Sequence, residues 1–185
     1  TATLWYLDFV SELIYVGDSG STEEGPASRR IGVEITNYIY PHPWLRLDVD
    51  LSFSRARFLD VPAGENFVPG ALNRVISPAP STNPPATVPS GPFASLRLRH
   101  FGPRPLIEDN SVESRQTSIV NGEIGYKFSN QVRLTAQGFN LFDAAVSDID
   151  YFFESRLRDE REPVEDIHFH AAIPRSARVA LQVSF

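Results

Sequence analysis

The sequence predicts an all-β protein, an antiparallel up-and-down β-barrel whose strands cross a membrane. The last strand shows the pattern most clearly, because apolar and polar side chains alternate from residue 177 to the end of the chain. One side carries Ala177, Val179, Leu181, Val183 and Phe185, and the other carries Arg178, Gln182 and Ser184. No run approaches the ~18 apolar residues that a membrane helix needs, so a membrane role would require a barrel. Long and short connections also alternate along the chain, as they do between the two rims of such a barrel.

Composition narrows the class of protein further. The chain has 185 residues, a hydrophobic fraction of 42% and a formal net charge of -6. This acidic balance, with no block of Lys or Arg, argues against nucleic-acid binding. The absence of cysteine fits exposure to an oxidising compartment. Because methionine is also absent, we expect a fragment or a processed piece of a longer product, which would leave the lack of a signal peptide uninformative.

Eight segments alternate well enough to be predicted as strands: residues 4–16, 29–40, 44–58, 72–77, 93–101, 113–128, 132–142 and 174–185. The segment 44–58 is the cleanest, since its odd positions from Leu45 to Phe53 are apolar and its even positions are polar. In segment 4–16 the predicted lipid-facing set is Trp5, Leu7, Phe9, Leu13 and Tyr15. The apolar parity switches at Phe139 and Leu141, which predicts a β-bulge at Gly138.

The connections between these segments fall into two classes. The long ones are residues 17–28, 59–71, 102–112 and 143–173, and the short ones are 41–43 and 129–131. Residues 78–92 hold six prolines, and because proline cannot donate a ladder hydrogen bond we expect a Pro-rich connection outside the sheet. Tyr38, Tyr40 and Trp44 flank one short turn, as aromatic residues do at a membrane surface.

Three stretches and the chain terminus resemble a known family. Residues 93–106, residues 121–128 and residues 132–143, which contain Asn140-Leu141-Phe142-Asp143, resemble the closing strands of TonB-dependent receptors. The terminal Phe185 adds to this resemblance, which extends over most of the chain. It implies that residues 1–185 are the C-terminal part of one barrel domain, about eight strands of a barrel of about 22, with the plug domain and signal peptide absent. The isolated piece would then be an open, curved sheet.

The resemblance also implies a function and a location. Such receptors import scarce ligands, such as iron-siderophores or other metal complexes, across the outer membrane of Gram-negative bacteria. The implied partners are TonB, reached through the missing plug region, the barrel assembly machinery, outer-membrane lipid and the small-molecule or metal-chelate ligand. The assembly signal would be the terminal apolar row Val179, Leu181, Val183 and Phe185. The resemblance implies no cofactor.

The candidate ligand-binding residues lie in the last long connection and on one strand. If residues 166–170 are extended, Asp166, His168 and His170 share one side, and two imidazoles with a carboxylate suit a transition metal or its chelate. His168 and His170 are therefore the candidate metal ligands. Arg97 and Arg99 form a basic stripe that would meet an anionic ligand. The same long connection offers further candidates in Asp150, Tyr151, Glu154, Arg156 and Arg158.

Other functions stay open on the residues alone. A complete small barrel of eight strands, serving as a membrane anchor or a lipid-acting enzyme, is allowed because eight strands can close. A soluble β-sandwich would show the same alternation but would leave the terminal aromatic residue unexplained. No Ser, His and Asp set shares one strand face, and no phosphate-binding loop occurs, so we expect no enzymatic activity.

Overall fold

The computed structural model describes residues 1–16, 21–82 and 90–185, and within them the chain is all β. The strands are β1 (Ala2–Phe9), β2 (Leu13–Val16), β3 (Ser21–Glu24), β4 (Ser28–His42), β5 (Leu45–Phe58), β6 (Arg74–Thr82), β7 (Gly91–Phe101), β8 (Thr117–Lys127), β9 (Val132–Phe139), β10 (Ser147–Ser155), β11 (Val164–Ala171) and β12 (Ser176–Val183). None of the described residues forms a helix with the length and apolar character that a membrane crossing requires.

Eight of these strands form one antiparallel sheet in the order β1-β4-β5-β6-β7-β8-β9-β12. The sheet is open in the described residues, because β1 and β12 are its edges and do not pair with each other. Two hairpins, β2–β3 and β10–β11, lie outside the sheet. This arrangement confirms the predicted open sheet of about eight strands.

The cross-strand register gives the sheet two chemically different faces. Residues directly opposite each other share a face, and the apolar face is carried across the sheet by rows such as Leu4, Val33 and Phe53 or Ile124, Ala136 and Val179. The polar face carries rows such as Glu123, Gln137 and Arg178. The described residues form no layer that covers the apolar face, and Ile124 is 63% exposed although it lies in a central strand. Exposure of this kind along a whole sheet marks a surface made for lipid or for another protein.

The two ends of the sheet also differ. At the short-turn end, β4 and β5 are joined through Pro43 and Trp44, and β8 and β9 through residues 128–131. At the long-loop end, residues 10–27, 59–73, 102–116 and 140–175 connect the strands. The predicted loop 17–28 contains β3, and its residues 17–20 lie outside the described part. The predicted loop 143–173 contains the hairpin β10–β11.

The prediction for the face of the first strand was wrong. Leu4 and Tyr6 lie opposite Val33 and Ile31 on the apolar face, so Trp5, Leu7 and Phe9 belong to the polar face. The physical reason is that Trp5 lies opposite Gly32 and its indole covers that glycine. The strand also ends at Phe9 instead of continuing to residue 16, so Leu13 belongs to β2. The side chain of Tyr15 lies outside the described part.

The expectation that residues 78–92 form a connection outside the sheet was wrong at both ends of that range. β6 continues to Thr82, and Pro78 and Pro80 lie opposite Val49 and Leu47 of β5. Alternate residues of a strand direct their backbone N–H groups to the same edge, so these two prolines remove two hydrogen-bond donors from one edge of β6 only. The ladder to β5 is therefore complete, whereas the ladder to β7 is interrupted between Ile76 and Ser81. Residues 91–92 begin β7, and residues 83–89 lie outside the described part.

The predicted bulge at Gly138 was also wrong. Gly138 pairs in continuous register with Gly122 on one side and Ala177 on the other. Phe139 keeps the register and lies on the polar face with Gln137, where Arg178 is 5.8 Å from the centre of its ring. After the strand, Asn140 has a φ of 47° and Leu141 folds back over Gly138. The buried Asn140 amide donates to the Ala144 carbonyl at 3.0 Å and to the Ile173 carbonyl at 3.2 Å. This asparagine thus joins the start and the end of the last long connection.

Glycine and aromatic residues pair across two pairs of strands, Trp5 with Gly32 and Phe93 with Gly125. Phe93 is buried although it lies on the polar face, because its ring lies where Gly125 has no side chain. A Cβ atom at Gly125 would lie 2.5 Å from the Leu134 carbonyl oxygen and nearer still to the Phe93 ring. The glycine is therefore required by a close approach.

We expect the substitution Gly125→Ala to destabilise the sheet by about 1–3 kcal/mol, the usual cost of overpacking. Urea-dependent unfolding of the complete protein in detergent, followed by gel mobility of unheated samples, measures this loss. The matched control is Gly122→Ala in the same strand, where the added Cβ would meet only the flexible ends of Leu141 and Leu96 at 3.1 Å. Equal unfolding midpoints for the two variants would contradict the packing role of Gly125.

Candidate ligand-binding site at the long-loop end

The long connections pack against one another over the polar face of the sheet. Ala56 and Phe58, polar-face positions of β5, are buried with Val68 of the loop 59–73 in a small hydrophobic cluster. Backbone hydrogen bonds join this loop to the loop 102–116: Phe67 donates to the Glu108 carbonyl at 2.9 Å, and Gly70 donates to the Pro105 carbonyl at 2.8 Å. These loops therefore form a structured layer that covers one end of the polar face.

A buried ion pair fixes the loop 102–116 to the hairpin β10–β11. The Arg104 guanidinium donates to the Asp150 carboxylate at 3.0 Å, and the two side chains are only 8% and 6% exposed. The Ser147 hydroxyl donates to the other Asp150 oxygen, and the Arg104 amide donates to Ser114 Oγ at 3.1 Å. Asp150, which the sequence offered as a ligand residue, is thus engaged by protein groups and acts as a tether.

The hairpin β10–β11 presents a row of imidazoles and aromatic rings. The His168 ring stacks on Phe153 with centroids 3.9 Å apart, and the His170 ring meets Tyr151 edge-on at 6.5 Å. Since Phe153 lies opposite Asp166 in the hairpin register, Asp166, His168 and His170 share one side, as their spacing predicted. Nε2 of His168 is buried and has no hydrogen-bond partner in the described residues.

The described residues do not gather three metal-ligating side chains at this row. Among the residues that the structure describes, no three His, Asp or Glu side chains are grouped so that they could hold a metal ion. The histidine rings pack against aromatic rings, and Oδ1 of Asp166 accepts a hydrogen bond from the Ile167 amide at 2.7 Å. The arrangement suits contact with a flat or aromatic ligand better than direct coordination of a bare ion.

The basic stripe of β7 lies on the polar face, as predicted. Arg99 pairs with Asp148 at 3.2 Å, but both side chains are nearly half exposed, so the pair contributes only about 0–1 kcal/mol. Arg97 lies opposite Asn121 and has no ion-pair partner among the described residues. It lines an open pocket of about 360 Å³ whose other polar side chains include Asp48, Glu123 and Gln137.

Two further pockets lie among the long loops. The larger, about 690 Å³, is bounded by the last long connection and the end of the loop 102–116, and Arg115, Asp166 and Phe169 line it. The smaller, about 330 Å³, lies where all four long connections meet. In its wall Arg30 donates two hydrogen bonds to the Glu12 carboxylate, at 2.9 and 3.0 Å. Both pockets combine charged and apolar walls, the usual character of a small-molecule site.

Sequence analysis missed Arg104 and the Arg30–Glu12 pair. The partners in these pairs are 46 and 18 residues apart in the chain. No local pattern marks either pair, because each forms only when separate loops pack together.

An antiparallel sheet with a bare apolar face, short turns at one end and packed long loops at the other defines a segment of a transmembrane β-barrel wall. Comparison with solved structures finds barrels of the same fold. The ferric yersiniabactin uptake receptor FyuA from Yersinia pestis matches with a TM-score of 0.69 and 14% sequence identity, over 100% of this chain and 27% of that chain. The ferric-catecholate import receptor Fiu from K12 E. coli matches with a TM-score of 0.66 and 14% identity, over 100% and 25% of the two chains.

These matches establish the fold. Both neighbours are TonB-dependent receptors, so the resemblance seen in the sequence is confirmed at the level of the fold, and the chain has the structure of part of such a barrel wall. It spans about a quarter of the length of the receptors that it matches. No family model matches the sequence, and no curated protein matches it by sequence.

We expect the substitution Asp150→Ala to loosen the loop 102–116, because it leaves the Arg104 charge buried without its partner. Breaking a buried ion pair in this way costs about 3–5 kcal/mol. Hydrogen exchange of the complete protein in detergent, read by mass spectrometry over residues 102–116, should become much faster. The control Asp148→Ala removes the exposed pair with Arg99 and should leave that exchange nearly unchanged. Equal exchange in the two variants would show that the buried pair is not a tether.

Proposed function

We propose that the chain is the C-terminal part of a TonB-dependent receptor of a Gram-negative outer membrane, and that the complete receptor imports an iron-siderophore or a similar metal chelate. The observation that carries this proposal is the match of the whole chain to two ferric-chelate uptake receptors. The alternation of short turns and long loops supports it. The open edges at β1 and β12 favour a larger barrel over a closed barrel of eight strands.

In this proposal the ligand meets the hairpin β10–β11 and the basic stripe of β7. The proposed metal arrives already bound by its own chelator, because the described residues offer no cluster of three His, Asp or Glu side chains to complete its coordination. The rings of His168 and His170, backed by Phe153 and Tyr151, contact the organic part of the chelate. Arg97 and Arg99 attract an anionic chelate into the polar face.

The proposed partners follow from the receptor assignment. TonB would act through a plug domain encoded upstream, and the apolar face would contact outer-membrane lipid. The barrel assembly machinery would recognise β12, whose Val179 and Leu181 are 73% and 65% exposed, together with Val183 and Phe185. No enzymatic step is proposed for this segment.

The reading frame upstream of this chain in the source DNA tests the proposal. We expect it to encode several hundred further residues, including a plug domain and a TonB-contacting segment. A stop codon, or a signal peptide alone, would contradict the receptor and would favour a small barrel instead.

We expect the double substitution His168→Ala and His170→Ala in the complete receptor to lower ligand uptake by roughly tenfold or more, because it removes both rings from the contact row. Uptake is measured as growth of an iron-limited strain on single ferric chelates, and the chelate that the unaltered receptor transports is identified first. The control is His42→Ala at the short-turn end, where the His42 ring lies tilted at 48° to the Trp44 ring with centroids 5.1 Å apart. Unchanged uptake in the double variant, or an equal loss in the control, would contradict the role of the hairpin.

A further inference from the structure

Four arginines lie together on the apolar face of the sheet, at its long-loop end. The register places Arg29 directly opposite Arg57, Arg55 opposite Ile31, and Arg74 opposite Phe53. The four positions therefore occupy three successive rungs on one face of β4, β5 and β6. Each rung lies within on the order of 10 Å of the next, and Arg29 and Arg74 stand at the two ends of the row. Like charges opposite each other destabilise a sheet, so folding alone does not explain this cluster, which we name the outer arginine cluster.

The cluster carries more positive charge than its neighbours balance. Asp8, opposite Arg29, is its one carboxylate partner in the described residues, and it accepts from Arg29 Nε at 2.9 Å. Arg57 has no carboxylate partner in the part of the chain described; its guanidinium lies 3.6 Å from the centre of the Phe67 ring. Asp8 thus balances Arg29, and the other three guanidinium groups have no carboxylate partner in the described residues.

Arg55 and Arg74 are the arginines of the cluster whose hydrogen-bonding groups are least satisfied by the protein. Arg55 is exposed and has no hydrogen bond or ion pair among the described residues. The Nε atom of Arg74 is buried and has no hydrogen-bond partner there. By the register both positions lie on the apolar face of the sheet. Arg30, the sequence neighbour of Arg29, points to the opposite face and is paired with Glu12.

The surface directly below the cluster is apolar and bare. Ile31 and Phe53, which share rungs with the arginines, are 46% and 40% exposed, and Ile35 continues the same row toward the short-turn end. A ligand that satisfies both surfaces needs a strongly anionic headgroup above and hydrocarbon chains below. Guanidinium groups bind phosphate through paired hydrogen bonds and are the side chains best suited to this contact.

We propose that the outer arginine cluster binds the phosphate groups of a phosphorylated glycolipid in the membrane leaflet around the long-loop end, while the acyl chains of that lipid lie against Ile31 and Phe53. This inference rests on the proposed membrane location but not on import, and it concerns the outer surface of the barrel. It assigns to Arg55 and Arg74 a role that the ligand-binding site does not use.

The test measures lipid binding to the purified complete protein in detergent by native mass spectrometry. The probes are lipid A with both phosphates, the same lipid without phosphate, and inorganic phosphate as competitor. We expect the unaltered protein to bind the phosphorylated lipid at least tenfold more tightly than the phosphate-free lipid. Arg55→Ala with Arg74→Ala should remove that preference, and inorganic phosphate at equal concentration should not displace the lipid.

Two further variants keep the test decisive. Arg55→Lys with Arg74→Lys keeps the charge but not the paired hydrogen bonds, and we expect intermediate binding in a protein that still folds. Arg133→Ala with Arg178→Ala removes two polar-face arginines and should bind the lipid as the unaltered protein does. Equal binding of the two lipids by the unaltered protein, unchanged preference in the alanine variant, or displacement by inorganic phosphate would overturn the proposal. Because lipid binding is read without uptake, a failure here is distinguishable from a failure of the receptor assignment.

Discussion

The cross-strand register of the eight-stranded sheet is the constraint on which the rest of the structure depends. Since side chains alternate with a period of two, a slip by one residue would move every apolar side chain of a strand to the polar face. The pairings of Gly32 with Trp5 and of Gly125 with Phe93 oppose such a slip, because each ring lies where only glycine leaves room. Correct register also decides which arginines point inward and which point outward.

The two faces satisfy their charges in different ways. On the polar face, Arg178 and Arg133 each donate a hydrogen bond to a glutamine, and Arg99 pairs with Asp148. At the long-loop end, Arg104 and Asp150 are paired under the packed loops. On the apolar face, charges gather only at the long-loop end and exceed their protein partners. On the polar face Arg97 remains without an ion-pair partner in the described residues. In our proposal the arginines of the apolar face are balanced by a lipid headgroup.

The sequence predicted the strand boundaries correctly where apolar and polar residues alternate without interruption. β5 and β12 begin and end within two residues of the predicted segments, because alternation alone places them. The sequence-based prediction failed at Trp5. Its apolar character predicted a lipid-facing position, but Trp5 lies on the polar face, opposite Gly32 of the neighbouring strand β4. The sequence-based prediction also failed at Pro78 and Pro80. These prolines interrupt the pairing of β6 with β7 but leave its pairing with β5 intact, and the sequence does not show which neighbouring strand loses its hydrogen bonds. The Arg104–Asp150 tether joins two distant loops, so no local pattern could reveal it.

The most direct test of the account is the environment of alternate residues along β8 in the complete protein, inserted in lipid. The chain contains no cysteine, so single spin labels can be placed at Val120, Asn121, Glu123 and Ile124. We predict that labels at Val120 and Ile124 collide preferentially with oxygen dissolved in lipid, and that labels at Asn121 and Glu123 collide with a water-soluble nickel chelate. Equal accessibility at all four positions, or the opposite alternation, would contradict a barrel wall with its apolar face toward lipid.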